Sequence, residues 1–171
     1  ADRLGLAVLA LRARMGHAAT LADAGETEQA RALWVHVLGW ARSMGDFDAV
    51  VACQEALVWD GLDSGDLASA YRYLGEIGTQ LASAEGHDGW SRYRLVGAAY
   101  LVAAGNPAAA RGWLWEAMEL GLGDRCDAHT ARRLRDLATA CEGIAPEVSA
   151  LAQRALKRVV ALSDLAQTGM L

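Results

Sequence analysis

Glycines 25, 65 and 105 stand 40 residues apart, and Ala30, Ala70 and Ala110 each follow five residues later. Glycines 45, 86, 123 and 143 divide the intervals, so that a break comes every 18 to 21 residues. Each interval fits one helix of about 15 residues plus a short turn, because glycine is the preferred residue just past a helix end.

Start signals follow several breaks. Asp46, Asp66 and Asn106 can each cap the next helix with a side-chain oxygen. Pro107 and Pro146 suit a first helical turn, where the missing N–H had no partner anyway. In the first copy Glu26 is a poor cap, and Thr27 is expected to serve instead. Between breaks the apolar spacing is helical: Ala110, Leu114, Ala117, Met118 and Gly121 share one face, as do Val50, Cys53, Leu57 and Val58 before Gly61. The expected helices cover 4–23, 27–44, 46–61, 66–83, 88–104, 107–121, 127–142 and 146–166.

Eight helices on a 40-residue spacing make four helical hairpins. Their second helices begin after Gly25, Gly65, Gly105 and, two residues off register, near Ala145. The small residue one turn in (Ala30, Ala70, Ala110 and Ala150) lets the two helices approach closely. One hairpin cannot bury both its faces, so hairpins stack. The expected fold is all-α, a right-handed stack of about four antiparallel hairpins forming a single domain over 1–171.

The stretches "GDFDAVVACQEAL" from Gly45, "GDLASAYRYLGEI" from Gly65 and "GNPAAARGWLWEA" from Gly105 resemble the second-helix opening of the tetratricopeptide repeat family. Trp34, Leu74 and Leu114 fall where that family has a large apolar residue. The family's unit is 34 residues rather than 40, and its first-helix Trp and Gly positions hold Arg14, Gln54 and Arg94, then Ala18, Val58 and Ala98. Longer units of this kind are similar to helical-repeat domains of large bacterial transcription activators. The resemblance implies ligand sensing or the binding of partner proteins.

Composition narrows the partners. The net charge of −5 argues against a general nucleic-acid binder. It is unevenly spread: residues 1–86 carry 6 basic and 12 acidic side chains, and residues 87–171 carry 10 and 9. A local basic patch in the second half therefore stays open. No apolar run approaches the ~20 residues of a membrane span, and nothing reads as a signal peptide. Three cysteines without a CxxC pair fit reduced cytosolic thiols. The start at Ala1 suggests a domain cut from a larger protein.

Catalytic constellations are thin. The densest set of metal-ligand types is Asp124, Cys126, Asp127 and His129, but structural zinc usually needs paired Cys or His, and Asp127 serves equally as a helix cap. The histidines are scattered, Glu-x-x-His spacing is absent, and the glycines are single rather than clustered as in a phosphate loop. No metal, cofactor or catalytic residue is assigned.

Six tryptophans are the richest remaining signal. Trp113 and Trp115 lie ~200° apart around a helix, so both cannot face the core. Most are expected in interhelix packing, with one or two lining a groove. In the resembling family the first helices line a concave surface. The equivalent positions here place Arg12, Glu55, Trp59, Asp63, Arg92, Arg132 and Arg135 in a candidate groove for a protein or peptide. The alternative is a small-molecule pocket between first helices, and the plainest reading is a solvated, mixed-charge face. An enzyme on a helical scaffold is the third reading. A groove anchor at Trp59 could be cut back at little cost in stability, whereas a core Trp59 could not.

Overall fold

The computed structural model describes residues 2–84, 89–122 and 128–167, with side chains described from residue 5 to 160 within those ranges. These residues form eight helices and, among them, no strand: α1 (Asp2–Asp23), α2 (Thr27–Met44), α3 (Phe47–Ser64), α4 (Leu67–Ser83), α5 (Trp90–Ala103), α6 (Pro107–Glu119), α7 (Ala128–Cys141) and α8 (Pro146–Gln167). The protein is all-α. The helices pack as the hairpins α1–α2, α3–α4, α5–α6 and α7–α8. No helix of the described residues is long and apolar enough to cross a membrane.

The breaks work through left-handed glycines. Gly25, Gly45, Gly65 and Gly105 have φ of 82°, 67°, 76° and 77°. At Gly25, Gly45 and Gly105 two bonds close the preceding helix: the glycine N–H reaches the carbonyl three residues back, and the next N–H reaches five back, as in Asn106 N to Leu101 O at 2.7 Å. Orphan carbonyls are thus satisfied in a turn that a Cβ would strain. Asp46, Asp66 and Asn106 then accept from the N–H groups of Ala49, Ser69 and Ala109. The Ser69 hydrogen bonds hold the Asp66 carboxyl below its usual range. Glu26 occupies the cap position of α2 without a side-chain cap bond, and Thr27 is the first helical residue rather than the cap.

Three boundaries differ from expectation. α3 continues through Gly61 to Ser64. Gly61 is no break: a Cβ there would lie 3.1 Å from Ala70 Cβ and 3.0 Å from the Asp66 carbonyl, so its bareness admits α4. α6 stops at Glu119, and Gly121 (φ 85°) is the left-handed turn residue instead of a member of the buried face. In the fourth hairpin Ala150 is exposed, while Val148, Ala152, Ala155 and Val159 are buried. That spacing repeats Ala30, Trp34, Val37 and Ala41 of α2, and it starts five residues after Gly143. The α7–α8 register has therefore moved back by two residues. Gly86 and Gly123 lie outside the described residues.

The chain divides into two compact units, Ala1–Glu85 and Gly86–Leu171, each holding two hairpins. In the first unit the hairpins join where α2 packs on α3, and the unit's buried apolar side chains include Leu11, Val37, Leu38, Cys53, Val58, Ile77 and Leu81. Ion pairs bridge the same joint: Arg12 to Asp46, Arg31 to Asp60 and Arg42 to Glu76. In the second unit α6 packs on α8, so that second helix meets second helix, and Arg111 pairs with Glu147 across it. These pairs sit on exposed arginines and contribute little each. The apolar contact carries the joint.

Ala30, Ala70 and Ala110 are all buried at the hairpin crossings, as the spacing predicts. Ala110→Leu is expected to destabilise by about 1–3 kcal/mol through overpacking. Ala108→Leu, on the exposed face of the same helix, should stay within about 0.5 kcal/mol. Denaturation midpoints of the two variants check this, and equal losses would contradict it.

Candidate functional site

The seven groove residues fall into two sets, Arg12, Glu55, Trp59 and Asp63 in the first unit and Arg92, Arg132 and Arg135 in the second. Within the first set, exposures diverge. Trp59 is 5% exposed and Glu55 8%, both inside the fold, whereas Arg12 and Asp63 are exposed. Arg12 Nη2 donates to both oxygens of Asp46 at 3.3 and 3.2 Å, so it steadies the cap of α3. In the second set all three arginines are exposed, and Arg132 lies 3.9 Å from Asp136 one turn on. Of the possible metal ligands, Asp124, Cys126 and Asp127 lie outside the described residues. Among the described residues no group of three or more ligand-type side chains comes together.

A different set of positions converges. Arg14, Gln54 and Arg94, which stand where the resembling family has tryptophan, each reach the second helix of their own hairpin 22 residues on. Arg14 Nη1 lies 3.1 Å from His36 Nε2, a contact that makes this ring nitrogen the acceptor, and its guanidinium covers Trp40. Gln54 is fully buried and donates to Glu76 Oε2 at 2.7 Å, while Arg42 donates to the same oxygen at 2.6 Å. Arg94 lies against Glu116, with Nε 2.9 Å from Oε2. The fourth hairpin puts the fully buried Leu134 at this position.

Around Arg94 the polar contact has grown into a cage. Trp90, Tyr93, Arg94 and Gly97 follow the 3–4–7 spacing of one face of α5, and Trp113 and Glu116 meet them from α6. The Arg94 guanidinium carbon is 4.5 Å from the Trp113 ring centre, 5.8 Å from Tyr93 and 5.9 Å from Trp90. Trp90 meets Tyr93 edge-on at 5.5 Å, and Tyr93 meets Trp113 at 5.4 Å. The negative ring faces attract the cation between them. Burial raises the Tyr93 hydroxyl pKa, and the Arg94 charge opposes that rise.

Gly97 makes the cage possible. A Cβ there would fall 2.1 Å from Trp113 Cζ3, so the indole lies directly on the α5 backbone. All three rings are half-buried rather than core, and Trp115, on the other side of α6, is 50% exposed, as the ~200° separation requires. The i, i+3, i+4, i+7 run of Trp90, Tyr93, Arg94 and Gly97 was visible in the sequence. The concave-face positions that the resemblance implies do not include it.

The cysteine chemistry is quiet. Cys53 and Cys141 are free and buried; burial pushes the Cys53 thiol up to about 12 against the pull of Arg12, and it raises Cys141 too. Neither is a thiolate nucleophile near neutral pH. Compared with known protein families, curated proteins and solved structures, the chain finds no match in any of the three.

Three stability outcomes follow. Trp59→Ala should cost about 3–5 kcal/mol, as for an emptied buried indole site, and Arg92→Ala less than about 0.5 kcal/mol; chemical denaturation reads both. Gly97→Ala gains up to about 1 kcal/mol of helix propensity but must expel Trp113. A net loss of about 1–2 kcal/mol with a weakened near-ultraviolet tryptophan signal is expected, because overpacking outweighs the propensity gain.

Proposed function

We propose that the chain is a non-enzymatic binding module that recognises a protein or peptide through the surface of the α5–α6 hairpin. The observation that supports this reading is the partly exposed cluster of Trp90, Tyr93, Arg94 and Trp113. Tryptophan, tyrosine and arginine are the side chains that dominate binding energy at interface centres. No tryptophan stands at the corresponding positions of the first two hairpins. At the same register the first hairpin has Ala10, Ala13 and Leu33, and the second has Val50, Cys53 and Tyr73.

Buried thiols in both units accord with a reducing, cytoplasmic setting. A place inside a larger bacterial transcription regulator follows from the tetratricopeptide-like resemblance alone, and it makes the partner another protein rather than DNA. The experiment is selection of displayed peptides on the full chain. Selected peptides should bind with dissociation constants below about 50 μM, and Trp90→Ala should weaken them at least about tenfold, the effect of one lost anchor. Trp115→Ala should leave them within about twofold. No selection above background, or equal dependence on Trp90 and Trp115, would overturn the reading.

A further inference from the structure

The cage already holds a cation, and that cation belongs to the chain. Arg94 is a guanidinium on a flexible stem, its side chain 26% exposed, inserted among Trp90, Tyr93 and Trp113 beside the Glu116 carboxylate. Without the Arg94 charge, the site would present three ring faces and one carboxylate, all complementary to a cation.

The fit of Arg94 is incomplete. Its Nε is buried and only 2.9 Å from Glu116 Oε2, but the N–H does not point at the oxygen and has no aligned acceptor. The guanidinium lies over Trp113 with its Nε, rather than its fork, nearest the carboxylate. A guanidinium arriving from outside is not tethered to α5. It can keep the stacking and add the paired, parallel hydrogen bonds that arginine makes to carboxylates. Exchange of one guanidinium for another is also nearly neutral in desolvation, since Arg94 returns to water as the newcomer leaves it.

We propose that the Trp90–Tyr93–Trp113–Glu116 cage is a guanidinium-binding site, closed by Arg94 as a tethered occupant, and that an arginine side chain of a peptide ligand displaces it. This rests on the binding-module reading and names the chemistry that the module recognises. Specificity comes from shape: a planar guanidinium stacks on an indole and spans a carboxylate, which a compact ammonium cannot do.

The test is chemical replacement of the tethered group. Arg94→Ala, and Arg94→Met as a second variant that keeps the apolar stem, are titrated with N-acetyl-arginine amide while tryptophan fluorescence is followed. Saturable binding is expected at about 1–10 mM, the strength of one stacked and paired cation. Wild-type protein should bind the probe at least about tenfold more weakly, because Arg94 competes at a high effective concentration. Adding Glu116→Gln to Arg94→Ala should weaken the probe by about fivefold or more. N-acetyl-lysine amide and tetramethylammonium should each bind at least about fivefold more weakly than the arginine probe.

Four results overturn the proposal: no saturable signal in a variant that keeps its helical circular dichroism, equal binding by wild type and variant, equal binding of the ammonium probes, or failure of both variants to fold even with the probe present. The last would make Arg94 a member of the packed structure. Peptide selection separates this from the broader reading: selected peptides that lack arginine yet depend on Trp90 would sink the guanidinium assignment and leave the module standing.

Discussion

Everything in these hairpins depends on how closely two helices can run side by side. The contact is set by Ala30, Ala70 and Ala110 on the second helices, all buried. Where α3 crosses α4, even Ala70 is met by a bare backbone at Gly61. A crossing this tight needs a connection with almost no length, and the left-handed glycines supply it by ending one helix and starting the next within a residue or two. The cap, the turn and the small residue are one device, and the remaining features are laid upon it.

That device was legible because each part has its own chemical requirement. A glycine is demanded by positive φ, a cap by orphan N–H groups and a small residue by the crossing, so their spacing survives in the sequence. Eight helices could be placed from it. The misplacements have specific causes. Gly61 was the expected end of its helix, but glycine also serves where a neighbouring backbone comes close, and spacing alone does not separate the two uses. Ala150 looked like the fourth small residue, but α7 ends early in register, at Cys141, and Val148 takes the place.

The candidate site was less legible. Exposure of a first-helix residue depends on what packs over it, and that is a tertiary matter: Trp59 and Glu55 proved buried while Arg12 reached back to cap-bearing Asp46. The polar residues at 14, 54 and 94 stood out in the sequence only as departures from the resembling family's tryptophan. Their meaning required the second partner, 22 residues on, to be seen across the hairpin. Pairwise chemistry between helices leaves no short motif. It leaves a constant offset, and that becomes recognisable only once the hairpin is known.

The fourth hairpin shows what that offset does. Where Arg14, Gln54 and Arg94 engage polar partners, the unit keeps its length of 40; where Leu134 stands instead, the second-helix register has slipped by two. Apolar contact is non-directional, so helices held by it alone can be re-registered if a similar surface is presented. A hydrogen bond or ion pair has no such tolerance, since a shift of two residues swings its partner to the far side of the helix. The polar pairs act as length standards. By that argument insertions and deletions in the connecting turn cost less in the hairpin that lacks one than in the three that carry it.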